Sequence, residues 1–71
     1  MRKIKREVII KRMYDMGLTN AELANRAGLK YDMVYAFIRG YVDVPTVLNL
    51  SKILDVLGLD FDEILIRGGD E

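Results

Sequence analysis

The chain has no cysteine and no histidine, and these two absences exclude much of the chemistry that a small protein can perform. Without cysteine there is neither a disulfide nor a thiolate metal site. Without histidine the usual general base, the imidazole of a catalytic triad and the commonest zinc ligand are missing. Ser51 therefore has no imidazole that could activate it as a nucleophile. We predict neither an enzyme nor a protein with a cofactor or a bound metal.

The chain also lacks a long apolar run and a glycine-rich phosphate loop. No stretch approaches the roughly 20 apolar residues that cross a membrane. The basic N-terminus has neither the apolar stretch nor the cleavage site of a signal peptide. We therefore expect one cytoplasmic domain of 71 residues, with no membrane and no small-molecule substrate as partner.

The net charge of the whole chain is zero, but the two halves of the chain are not neutral. Residues 1–39 hold nine lysines and arginines against four acids, and residues 40–71 hold two against seven. One half of the chain is thus basic and the other acidic, so a basic face could meet an anionic partner. Six of these cations, Arg2, Lys3, Lys5, Arg6, Lys11 and Arg12, precede or lie on the first helical pattern, as a phosphate-binding arm or a solvated face.

Apolar residues recur at three- and four-residue spacings, and no stretch alternates with period two for long enough to form a strand. Thr19 precedes Glu22 by three residues, and Asp60 precedes Glu63 by three, as in capping boxes. Capping explains the acids at 60–63 better than a metal site does. The pattern predicts an all-α fold in one domain, with helices at about 3–16, 20–27, 31–39, 46–57 and 61–66, and a flexible tail at 68–71. The predicted core is Leu23, Ala24, Val34, Phe37, Leu50, Ile53, Leu54, Leu57 and Phe61.

Two of these helices are only two turns long, and a glycine turn joins them. Such helices bury little alone, but longer neighbours can hold the second one at the surface at a fixed angle. A helix-turn-helix needs a small residue in its first helix, a glycine at the turn and a buried residue in its second helix. Ala24, Gly28 and Val34 meet these needs. The pattern predicts that the second helix lies in the major groove of DNA.

The segment "LTNAELANRAGLKYDMVYAFIRG", with the later "LGLDFDEIL", resembles the Cro/repressor type of helix-turn-helix domain, often called the Xre family. The resemblance covers roughly residues 9–65. It implies a compact five-helix bundle of the lambda-repressor-like kind. It also implies a transcriptional regulator, repressor-like, that binds operator DNA as a homodimer.

By position, the resemblance implies that residues 31–38 form the helix that enters the major groove. The side chains that would face base edges are Lys30, Tyr31, Asp32, Tyr35 and Ala36. Those that would lie near phosphates are Asn20, where the family usually has glutamine, together with Arg26, Arg39 and Tyr41.

The segment "KYDMVY" departs from the family, which commonly has Ser, Arg, Gln or Thr in the first turn of this helix. Asp32 brings a negative charge towards a polyanion, unless it accepts from a cytosine amino group. It could instead only favour the helix dipole. Exposed tyrosines are also enriched at protein interfaces. The alternative function is therefore a protein-interaction module, such as an antitoxin, antirepressor or co-regulator, that binds through the tyrosine-rich helix.

Apolar residues remain once a five-helix core is filled, and paired half-sites on DNA require two-fold symmetry. We therefore expect a homodimer that forms through the C-terminal part of the chain. The candidate contacts are Leu48, Ile64 and Ile66.

Overall fold

In the computed structural model, which describes residues 4–42 and 46–65, the chain folds into five helices. They are α1 (Arg6–Met16), α2 (Asn20–Ala27), α3 (Tyr31–Arg39), α4 (Val47–Leu57) and α5 (Phe61–Ile64). No strand forms within the described ranges; one antiparallel bridge joins Ile4 to Leu65. The predicted all-α class is therefore confirmed.

Local signals set most of the helix ends. At the start of α4 the Thr46 hydroxyl accepts from the Asn49 N–H at 3.2 Å, so Thr46 is the cap and not the first helical residue. Each of α1 to α4 ends at a glycine whose φ lies between +68° and +82°, a region that costs other residues energy. These glycines are Gly17, Gly28, Gly40 and Gly58.

The outer ends of α1 and α5 are shorter than predicted. Ile4 and Lys5 precede α1, which begins at Arg6, because they pair with Leu65 and Ile64 at the end of α5. The Lys5 N–H donates to the Ile64 carbonyl at 2.6 Å. Leu65 has an extended backbone and ends α5, so the predicted extension to residue 66 is wrong at Leu65. Ile66 and the predicted tail at 68–71 lie outside the described residues.

A single apolar core lies between the helices. Eight of the nine predicted core residues are buried, and Phe61 is only partly buried against that core. Five further residues complete it: Ile9, Met13, Leu18, Leu59 and Ile64. No polar or charged residue in the described ranges is buried. The core therefore gains its stability from apolar burial and close packing.

The packing order explains how two short helices are held. Helix α2 packs against both α3 and α4, while α1 packs against α4 and α5. Helix α2 therefore links α3 to α4, and α1 links α4 to α5.

Candidate nucleic-acid interface

The first short helix begins with the predicted capping box. The Glu22 N–H donates to the Thr19 hydroxyl at 3.1 Å, and the Thr19 N–H donates to the Glu22 carboxylate at 2.9 Å. The hydrogen bond from the Thr19 backbone holds the pKa of Glu22 below its usual range, since it favours the charged form. This box fixes the start of α2 at Asn20.

The turn between α2 and α3 follows from the glycine at its centre. Gly28 has φ +71°, and the next N–H, that of Leu29, folds back to the Ala24 carbonyl at 2.9 Å. Ala24 is buried where α2 packs on its neighbours, so its small side chain suits the close approach. Lys30 is then extended and caps α3 with no side-chain hydrogen bond. The predicted helix-turn-helix geometry is thus present.

Helix α3 is anchored on one side only. Val34 and Phe37 are fully buried and hold it against the core. Of the predicted base-reading residues, Lys30, Tyr31 and Asp32 are exposed, whereas Tyr35 and Ala36 are half-buried. All five belong to α3 or its cap, and none is fully buried.

The tyrosines of α3 form an ordered cluster with Arg39. The rings of Tyr31 and Tyr35 stack with centroids 5.8 Å apart, and the ring of Tyr41 meets Tyr35 edge-on at 6.3 Å. The Arg39 guanidinium carbon lies 5.7 Å from the Tyr35 centroid, within the range of a cation–π contact. We name Tyr31, Tyr35, Tyr41 and Arg39 the tyrosine cluster.

The predicted phosphate contacts lie on the same two helices and the turn that follows them. Asn20 is the first residue of α2 and is half-buried, and Arg26 is exposed in the last turn of that helix. Arg39 is exposed in the last turn of α3, and Tyr41 follows the C-terminal glycine of that helix.

Two arginines of α1 contact later parts of the same chain, and sequence reasoning missed both roles. Arg12 Nη1 donates to the Leu57 carbonyl at the end of α4, at 2.8 Å. Arg6 lies 5.4 Å from the Phe37 ring centroid and donates to the Val42 carbonyl at 3.2 Å. Leu57 lies 45 residues from Arg12 and Val42 lies 36 residues from Arg6, so no local signal in the sequence indicates these contacts.

These contacts reduce the number of cations on α1 that could bind phosphate. Arg6 and Arg12 are half-buried, and exposed Lys11 pairs with Asp15 at 3.2 Å. The arm interpretation therefore does not extend to Arg6 and Arg12, whose guanidinium groups already donate to carbonyls of the same chain. Arg2 and Lys3 lie outside the described residues.

The predicted dimer contacts separate into three cases. Leu48 is 64% exposed on α4, beside Val47 at 73%, and remains a candidate dimer contact. Ile64 is fully buried in the core of one chain, so its prediction as a dimer contact is wrong. Periodicity does not distinguish a core face from an interface, because both are apolar. Ile66 lies outside the described residues.

The described ranges give no sign of two other kinds of site. Among residues 4–42 and 46–65, acidic side chains do not gather in a group of three or more that could hold a metal ion. Within the same ranges, every helix is too short or too polar to cross a membrane.

Comparison with known families agrees with this geometry. The chain matches the family described as helix-turn-helix over residues 9–64, which is most of its length. Comparisons with curated proteins and with solved structures found no match. The matched range begins within α1 and ends with α5, so it contains α2, the glycine turn and α3 complete. The chain therefore belongs to the helix-turn-helix family of the Cro/repressor (Xre) type, whose members are DNA-binding regulators.

Proposed function

We propose that this protein is a sequence-specific transcriptional regulator, repressor-like, that inserts residues 31–38 into the major groove of operator DNA. It acts as a binding protein and not as an enzyme, in the cytoplasm, and as a homodimer. The feature that supports this most directly is the one-sided anchoring of α3. Val34 and Phe37 hold the helix against the core, which leaves Tyr31 and Asp32 exposed and Tyr35 half-buried.

The distribution of charge around this helix supports the same proposal. Exposed cations stand at the end of α2 and at both ends of α3, namely Arg26, Lys30 and Arg39. Phosphate contacts supply most of the affinity of a DNA-binding protein, and cations around a reading helix provide them. The first N–H groups of α3 add the positive end of the helix dipole.

Asp32 is the one acidic residue of α3, and it is exposed in the first turn. A carboxylate can accept a hydrogen bond from the cytosine amino group in the major groove. Elsewhere in the groove it repels phosphates. We propose that Asp32 favours a C·G pair at one position and lowers affinity for all other sequences.

The test is a salt series of binding to two duplexes, one selected from a random library and one of random sequence. The selected duplex should bind more tightly at physiological salt. Arg39→Ala should weaken both complexes alike and lower the salt slope by about 0.9 for one lost phosphate contact. Lys11→Ala is the matched control, because it removes an equal charge from α1 and should leave the slope unchanged.

The variant Asp32→Asn tests whether Asp32 reads a cytosine or only favours the dipole of α3. If Asp32 reads cytosine, the variant binds random duplex more tightly and loses preference at one base pair, by about 1–3 kcal/mol. If no duplex binds more tightly than random sequence with the original chain, the proposed function is wrong.

A protein partner is the second candidate function, and the tyrosine cluster is the observation that favours it. Tyrosine and arginine are the residues that protein interfaces concentrate at their centres. An antitoxin, antirepressor or co-regulator would bind its protein partner, and not DNA, through the tyrosine cluster. A purified partner that competes with selected duplex for α3 would show that both uses share one surface.

A further inference from the structure

The outward surface of α3 is mostly apolar, which is unusual for a helix that reads base edges. Between Lys30 and Arg39 the single charged side chain is Asp32. Beside it stand two aromatic rings and a methyl group, those of Tyr31, Tyr35 and Ala36. Guanine and adenine are usually read by bidentate Arg, Lys, Asn or Gln side chains. Residues 31–38 contain none of these four types.

The two rings are also held in place before any ligand arrives. Tyr31 and Tyr35 are one helical turn apart and stack with an interplanar angle of 29°. Tyr35 is further contacted by Tyr41 on its edge and by the Arg39 guanidinium. Rings that already support one another lose little side-chain freedom on binding, so the ring surface they leave exposed, most of it on Tyr31, can contact a ligand at low entropic cost.

Among base edges in the major groove, one group is apolar: the 5-methyl group of thymine. Resting on the proposed function, we propose that the paired rings of Tyr31 and Tyr35, with Ala36, read thymine through its methyl group. The operator then carries thymine at one or two positions beneath this surface. Preference arises from burial of the methyl group and not from a hydrogen bond to the base.

The proposal can be tested on the DNA, independently of how any variant folds. Each thymine of the selected duplex is replaced in turn by deoxyuridine, which pairs identically but lacks the methyl group. Burial of one methyl group corresponds to about 0.8 kcal/mol, or about a fourfold change in Kd. We expect a loss of about fourfold at one or two positions and no change at thymines in the flanks.

Protein variants then assign the effect to the rings. Tyr35→Phe keeps the ring and removes the hydroxyl, so the loss on deoxyuridine substitution should persist. Tyr35→Ser removes the ring, and deoxyuridine should then bind as well as thymine at that position. A matching gain should appear when a C·G pair placed there carries 5-methylcytosine instead of cytosine.

Three results would overturn the inference. Deoxyuridine could be neutral at every position while the selected duplex still outcompetes random sequence, which rejects methyl reading and leaves the proposed function intact. The deoxyuridine loss could persist unchanged in Tyr35→Ser and in Tyr31→Ser, which assigns it to other residues. Failure of any duplex to outcompete random sequence would reject both proposals together.

Discussion

Two arginines of α1, Arg6 and Arg12, each contact the C-terminal end of another helix. Arg6 Nη1 lies 3.8 Å from where a Cβ would stand at Gly40, and Arg12 Nη1 lies 3.7 Å from the equivalent point at Gly58. Each guanidinium therefore covers the C-terminus of a helix, where exposed carbonyls create a partial negative charge. Both arginines attach α1 to elements that follow much later in the chain.

Arg12 should accordingly matter for stability more than its exposed neighbour does. Its hydrogen bond to the Leu57 carbonyl is charge-assisted and partly buried. We expect Arg12→Ala to lower the free energy of unfolding by about 1.5–3 kcal/mol. Lys11→Ala breaks only an exposed ion pair with Asp15 and should cost less than about 1 kcal/mol. Urea denaturation of both variants checks this, and equal losses would show that the Arg12 contact adds nothing.

Glu22 should make stability depend on pH, because the hydrogen bond from the Thr19 backbone lowers its pKa from the ordinary 4.5. A carboxylate with a lowered folded-state pKa stabilises the fold above its unfolded pKa. That contribution is lost as pH falls through the folded-state pKa. We expect the original chain to be more stable than Glu22→Gln at neutral pH, with the difference shrinking below pH 4.5.

Urea denaturation of the original chain and of Glu22→Gln, at a series of pH values from neutral to acid, measures this difference in the free energy of unfolding. A difference that stays constant throughout would show that the carboxylate does not stabilise the start of α2 through its charge.

At the scale of elements, α5 shows how a single turn of helix becomes part of the core. Four residues cannot form a stable helix alone. The Asp60 N–H donates to the Glu63 carboxylate at 2.8 Å, and the Lys5 N–H donates to the Ile64 carbonyl. Ile64 itself is fully buried. Tertiary contacts with α1 therefore hold α5 in place.

Ile64 and Leu48 should respond differently to truncation. Ile64→Ala removes a fully buried side chain and should cost about 2–5 kcal/mol. Leu48→Ala changes an exposed side chain and should alter the stability of the monomer by no more than about 0.5 kcal/mol. Thermal or urea denaturation at low concentration, where dimers dissociate, checks both. A small effect of Ile64→Ala would return this residue to the candidate interface.

The elements that were predictable are those specified by neighbours in the sequence. The capping box at Thr19 and the glycine ends fix α2 and α3 within a few residues, so their limits were predicted closely. The start of α1 and the end of α5 depend on Ile4 pairing with Leu65, about sixty residues away. No local pattern carries that information. In the run Val8-Ile9-Ile10 only Ile9 is buried, which the packing against α4 and α5 decides.

In the candidate site, too, the features specified by neighbours in the sequence were predictable and those set by distant contacts were not. Val34 and Phe37 belong to the predicted core, and both are fully buried. The stacking of Tyr31 on Tyr35 follows from their spacing of four residues. The contact of Tyr41 with Tyr35 depends on how the chain turns after Gly40, which periodicity does not describe. Whether these side chains read bases stays a prediction.

At the scale of the whole molecule, the proposed dimer should bring two α3 helices about 34 Å apart, one turn of duplex. We expect Leu48→Ser to weaken self-association and to weaken binding to a two-half-site duplex more than to a single half-site. Tyr14→Ser is the matched control, because Tyr14 is 85% exposed on α1 and lies on another helix. Sedimentation of both variants with and without DNA measures the effect. A monomer at high micromolar concentration in every case would contradict the dimer.

The tyrosine cluster has an optical consequence as well. The chain has no tryptophan, so its four tyrosines supply nearly all of its near-ultraviolet emission and circular dichroism. Three of the four are joined by ring contacts through Tyr35 on and beside α3, and the fourth, Tyr14, is 85% exposed on α1. In Tyr14→Phe every remaining tyrosine would belong to the tyrosine cluster. Such a chain would report on the occupancy of α3 by its own fluorescence, without an attached dye.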